Sequence, residues 1–147
     1  MFGSIVVGTD GSETAGEAVR QAIELAKAVG AKVNLVSAFQ PVGNQRLREE
    51  RQQVPEDMSW MVNEREDVNS TLREAAEKVE EAGVKVETFA RQGDPADAIL
   101  DVAEEQEADL IVVGNKGMSG AKRFLLGSVP NKVSHHAPCS VMIIRTT

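Results

Sequence analysis

The residues best equipped for chemistry in this chain are largely backbone ones. From Gly114 to Val129 it reads GNKGMSGAKRFLLGSV, with four glycines, two lysines and an arginine. Glycine at this density lets a backbone turn sharply or lets a ligand come close. Gly114 and Gly117 frame the exit of the apolar run Leu110 to Val113, where missing side chains let backbone N–H groups reach an anion. Gly127 and Ser128 stand just ahead of a short helical stretch. A helix N-terminus offers unpaired N–H groups and the positive end of the dipole. Ser128 can cap that helix and can also donate its hydroxyl to a phosphate oxygen, while Lys122 and Arg123 add positive charge. A second turn, GTDGS from Gly8 to Ser12, carries Asp10, whose carboxylate can close an Asx turn or cap the next helix. On the glycines alone, a phosphate cradle and a ligand-free surface loop both stay open.

Two common phosphate motifs are excluded. A Walker loop needs Gly-Lys-Ser/Thr after the first strand, but Lys116 and Lys122 are followed by Gly117 and Arg123. A dinucleotide fingerprint needs Gly-x-Gly-x-x-Gly at the same place, and GTDGS does not fit. Catalysis needs a base, nucleophile or metal cluster in reach. The only histidines, His135 and His136, are adjacent, and neighbours at i and i+1 do not share a helix face. No serine sits in a nucleophile elbow and no partner is placed for Cys139, so the expectation is a binding protein with, at most, slow and incidental hydrolysis.

The elements that must position these residues follow from hydrophobic periodicity. Ser4 to Val7 is a short apolar strand. The next stretch repeats Ala15, Ala18, Val19, Ala22, Ile23, Ala26 and Val29 at helical spacing, between Ser12 as N-cap and Gly30 as stop. Ala31 to Phe39 reads as a strand buried on both faces. Gln40 to Glu56 is polar and reads as a long loop, of the length expected of a lid. Asp57 to Ala82 reads as a helix with Val68, Leu72, Ala75, Ala76 and Val79 as its inner stripe. Val84 to Ala90 is a third strand. A third helix opens on Asp94 as N-cap and Pro95 at the first helical position. A fourth strand, ADLIVVG, a short helix from Ser128 to His136 and a fifth strand from Val141 to Arg145 complete the chain. Strict alternation of strand and helix predicts a parallel sheet with helices on both faces, and such sheets bind ligands at the carboxyl ends of their strands.

The chain has 147 residues, which suits a single domain spanning 1–147. With 41% apolar and 27% charged residues it has the composition of a folded globule. A net charge of -7, no Tyr, one Trp and four Phe argue against nucleic acid and anionic membranes as partners. Cys139 is the one cysteine and reads as a buried, inert thiol. No basic-then-apolar signal opens the chain and no apolar run approaches about 18 residues. A soluble, cytoplasmic protein is therefore expected.

The spacing Gly114-x2-Gly117-x9-Gly127-Ser128 resembles the nucleotide-binding motif of the universal stress protein family. The likeness covers nearly the whole chain. IVVGTDGSETAGEAV resembles the family's first strand, aspartate turn and first helix, and ADLIVVGNKGMSGAKRFLLGSVPNKVSHHAPCSVMII resembles its C-terminal signature. Gln40 to Asn69 resembles nothing closely. The resemblance implies an open, Rossmann-like sheet of five parallel strands in the order 3-2-1-4-5, binding an adenine nucleotide between the ends of the first and fourth strands. Carried over by position, Asp10 would lie near the ribose or a magnesium ion, with Thr9 beside it. Val36 would line the adenine pocket. Val113, Gly114 and Gly117 would meet ribose and phosphate, Gly127, Ser128 and Val129 would cradle the phosphates, and Arg123 would add charge. The family implies ATP, AMP or cyclic AMP as ligand, a role as stress-response sensor or ligand reservoir, and a homodimer paired through the C-terminal strand. One position departs. Where the family's ATP binders often carry a small or hydroxyl residue, this chain has Pro130, which has no N–H to give a phosphate. A family branch that binds no nucleotide and works through protein contacts is the alternative.

Overall fold

The computed structural model describes residues 2–39, 65–115 and 128–145. The loop expected from Gln40 to Glu56, the start of the helix expected from Asp57, and Gly117, Arg123 and Gly127 lie outside the described residues. Nine elements alternate: β1 (Ser4–Gly8), α1 (Glu13–Val29), β2 (Lys32–Phe39), α2 (Arg65–Glu81), β3 (Val86–Gln92), α3 (Pro95–Glu105), β4 (Leu110–Gly114), α4 (Ser128–His136) and β5 (Ser140–Ile144). All four strand pairings are parallel, and the sheet order is β3-β2-β1-β4-β5. The fold and strand order are those the sequence led us to expect.

Local signals set the helix ends. The Ser12 hydroxyl accepts the N–H of Ala15, and Gly30 ends α1 in the left-handed conformation at φ 72°, where a Cβ would be strained. The Asp94 carboxylate accepts the N–H of Asp97, and Pro95 fills the first turn of α3. β3 begins later than its apolar residues suggest. Gly83, at φ 78°, turns the chain out of α2, and the N–H of Val84 returns to the carbonyl of Val79. Val84 is thus spent on ending the helix, and pairing starts at Val86 opposite Val33.

The sheet divides two cores. Ile5, Val7, Val33, Leu35, Leu110 and Val112 face α1 and α2, where Ala18, Val19, Ala22, Val68, Leu72 and Val79 meet them. Val6, Val36, Ile111 and Val113 face α3 and α4, against Ala96, Ile99, Val102 and Val133. Burying each Val, Leu or Ile side chain contributes roughly 1.5–3 kcal/mol. Strands covered on both faces explain why β1, β2 and β4 read as continuous apolar runs. Asn34 and Ser37 are the polar exceptions in β2, and Asn34 is fully buried in mid-strand. Its Nδ2 donates to Ser4 Oγ at 3.1 Å and to the carbonyl of Ile5 at 3.2 Å.

Candidate functional site

β1 and β4 lie side by side, with Val7 opposite Val112, and their chains then part. After β1 the chain runs to α1, in the first core; α4, which follows β4, packs in the second. Adjacent strands whose helices go to opposite faces leave a crevice at their carboxyl ends. The position of this crevice is therefore dictated by strand order, and the Asp10 turn and the end of β4 at Gly114 flank it.

The β1 side of the crevice is pre-organised. Gly8 ends the strand beneath it. A Cβ there would stand 2.5 Å from Ile99 Cδ1 and 3.2 Å from its Cγ1, so with any larger residue the Ile99 side chain must shift. The N–H of Thr9 donates to the carbonyl of Val36 at 2.9 Å and adds one last rung between β1 and β2. Thr9 is 9% exposed, and its Oγ1 accepts the N–H of Gly11 at 3.3 Å. Asp10 Oδ1 accepts the N–H of Ser12 at 2.9 Å, an Asx turn that delivers the chain into α1. This leaves Oδ2 of Asp10 without a partner among the described residues. A carboxylate with one oxygen bound to backbone and the other open is oriented for a hydroxyl or a cation. One such group, together with phosphate oxygens and waters, is the usual protein share of a magnesium site. Among the described residues no group of three His, Cys, Asp or Glu could hold a metal without such help.

On the other side, Val113 is buried in the second core and Gly114 closes β4 opposite Ile144. α4 begins at Ser128, which is exposed, with Val129 half-buried and Pro130 buried. Pro130 is the third residue of the helix, where an N–H has no intrahelical partner in any case, so the helix loses nothing by its absence. Lys132 ties α4 to the start of α3 through Asp97 Oδ1 at 2.9 Å and Asp94 Oδ2 at 3.4 Å. Its hydrogen bond to Asp97 is the main cause that raises its pKa above the ordinary lysine value.

The structure thus gathers Thr9, Asp10, Val113 and Gly114 on adjoining strand ends, while Val36 falls in the core. Val36 is 1% exposed and its carbonyl is taken by Thr9. Two residues on stands Ala38, which the sequence reading did not single out. In β2 the even-numbered residues turn their backbone polar groups toward β1, as Lys32 N and Val36 O do. Odd-numbered ones face β3, as Val33 N and Phe39 O do. Pairing with β1 ends at Val36. The N–H and C=O of Ala38 therefore point to where β1 has already left, and no described residue pairs them. Only register shows this.

A family model described as the universal stress protein family matches residues 1–145. A universal stress protein of Mycobacterium tuberculosis is 39% identical over 147 residues, covering 99% of this chain and 98% of its own. Among solved structures, a universal stress protein in complex with cAMP aligns at TM-score 0.74 and 33% identity, over 99% of both chains. The universal stress protein of Archaeoglobus fulgidus in complex with dAMP aligns at TM-score 0.65 and 26% identity, over 98% of both chains.

Proposed function

The chain belongs to the universal stress protein family, and from that premise we propose that the crevice beside β1 and β4 binds an adenine nucleotide. The observation that carries the reading is the open backbone edge of Ala38. One N–H donor beside one C=O acceptor is the complement of the adenine edge, which offers N1 as acceptor and its amino group as donor. Guanine presents a carbonyl and a ring N–H in those places and would set like against like, leaving polar groups unpaired at a cost of about 1–3 kcal/mol. The complexes of two similar proteins with cAMP and dAMP support the same base. Asp10 would then meet the ribose or a magnesium ion, and the N–H groups of Ser128 and Val129 the phosphates. Gly117, Arg123 and Gly127 would complete the cradle. When bound, the magnesium would offset phosphate charge.

In this reading the protein holds its ligand, as a cytoplasmic sensor or reservoir in the stress response, and does not turn it over. His135 and His136 stand at the far end of α4, about 12 Å along the axis from Ser128. Pro130 sharpens ligand choice. It withholds a donor near the outer phosphates, and a charge-assisted hydrogen bond contributes roughly 1.5–3 kcal/mol. A monophosphate, linear or cyclic, is therefore expected to bind at least as tightly as ATP. Calorimetry with ATP, ADP, AMP, cyclic AMP and GMP, with and without magnesium, tests both statements. Equal affinity for GMP and AMP would remove the role of Ala38. Far tighter binding of ATP than of AMP would remove that of Pro130. Binding of none would leave the branch of the family that acts through protein contacts.

We also propose a homodimer paired through β5. Both β3 and β5 are edge strands, but they are guarded differently. β3 carries Glu87 and Arg91, tied to Lys32 and Glu105, whereas β5 has no charged side chain and leaves Met142 37% exposed. An uncharged apolar edge invites pairing, and a two-fold dimer closes it. Light scattering at micromolar concentration should give twice the chain mass, and Ile143→Pro should give one chain.

A further inference from the structure

The Asp10 turn is not a free-standing loop, because α2 stands against it. Gly11, at φ 82°, lies so close to Thr71 of α2 that a Cβ on it would be 3.0 Å from Thr71 Oγ1 and 3.2 Å from Cγ2. Gly11 joins the two bonds that shape the turn: its own N–H goes to Thr9 Oγ1, and the next N–H, that of Ser12, goes to Asp10 Oδ1. The Thr71 side chain therefore backs the peptide that aims the Asp10 carboxylate. Thr71 cannot retreat alone. Its neighbours on α2, Val68 and Leu72, are buried at 4% and 3% exposure in the core shared with α1.

We infer that Thr71 is a positioning residue for the Asp10 turn, so that occupancy of the crevice and the seating of α2 are linked. The inference rests on the adenine-nucleotide reading of that crevice. A ligand that fastens Asp10 fixes Gly11, and Gly11 fixes the helix face it touches. By reciprocity, a partner that binds α2 and changes nucleotide affinity has its own affinity changed by nucleotide by the same factor. The residues of α2 on either side of this contact, Asn69, Ser70, Arg73 and Glu74, are exposed. The state of the Asp10 turn is thereby carried to the solvent face of α2.

The test uses the full chain with AMP and with magnesium ATP as probes. Thr71→Val keeps the shape of the side chain and should keep affinity within about twofold. Thr71→Met overfills the contact and should weaken binding about tenfold. Thr71→Ala leaves a gap behind the turn and should weaken it about threefold. Amide exchange in α2 from Val68 to Ala75 should slow when nucleotide is added to the wild type, and should respond less in Thr71→Ala. A purely structural role would lower the melting temperature without separating Val from Ala in affinity or in exchange. If Thr71→Met does not fold, Thr71→Ala and the exchange measurement carry the test. Nucleotide-binding wild type with Thr71→Ala unchanged in both affinity and exchange overturns the linkage alone. Wild type that binds neither probe overturns the reading of the crevice, and the linkage with it.

Discussion

At the amino ends of β1 and β4 the polar groups find one another, whereas at the carboxyl ends of the same strands they face an opening. The amino end is closed by Asp109, just ahead of β4. Its carboxylate accepts the N–H of Gly3 at 2.9 Å and that of Ser4 at 3.2 Å, and its own N–H returns to the carbonyl of Ser4 at 3.0 Å. Ser4 Oγ in turn receives Asn34 and leans on the carbonyl of Gln106. Among the buried side-chain polar atoms of the described residues, Oδ1 of Asn34 alone is left without a partner. Cys139 lies ahead of β5 on this side, and burial together with the charge of Asp109 pushes its thiol up, away from reactivity. At the carboxyl end, Ala38 and one oxygen of Asp10 have no described partner. Paired polar groups contribute stability, while open ones are held in readiness at some cost to it. In the proposed reading, the two ends of one sheet divide stability and binding between them.

That division can be broken or sharpened by substitution. The largest effect is expected beneath the open end, where β1 packs against α3. Gly8→Ala drives a methyl into Ile99 and should cost about 1–3 kcal/mol in urea melts. Ile99→Val removes the clashing Cδ1 and should restore part of that loss in the double variant. A Gly8→Ala protein as stable as wild type would show that α3 can yield here.

A matched pair of aspartates comes next. Asp109→Ala removes the acceptor of the exposed Gly3 N–H and the half-buried Ser4 N–H and should cost about 0.5–1.5 kcal/mol without changing nucleotide affinity. Asp10→Asn keeps an oxygen for Ser12 but loses the charge. Stability should stay within about 0.5 kcal/mol, while affinity for magnesium ATP falls about tenfold. Paired denaturation and calorimetry on both variants decide whether the ends are as separate as the geometry indicates.

The smallest effect is a pH dependence confined to the closed end. The hydrogen bond from Gly3 is the main cause that holds the Asp109 pKa below the ordinary carboxylate value. As pH falls, the unfolded chain therefore takes up this proton first. The latch contributes fully above about pH 4, and its contribution is lost as pH drops through the lower folded value. Thermal melts from pH 6 to pH 2 should show that acid loss reduced in Asp109→Ala.

What the sequence determined by itself was whatever acts within a few residues. Ser12, Gly30, Asp94 and Pro95 mark helix ends because caps work over one turn of backbone. Continuous apolar runs in β1, β2 and β4 announce strands covered on both faces, and alternation with helices announces a parallel sheet. The strand order came from family resemblance, since periodicity carries no information about which strands are neighbours. Three facts about the site belonged to tertiary structure alone. Ala38 is an unremarkable alanine until register shows that β1 stops at Val36 and leaves its edge open. Gly8 reads as a turn glycine, but the side chain it leaves room for is that of Ile99, ninety-one positions away in the chain. Thr71 reads as one more polar residue on a solvated helix until α2 is laid against Gly11. Each depends on a contact between segments distant in sequence, and such contacts leave no periodic trace along the chain.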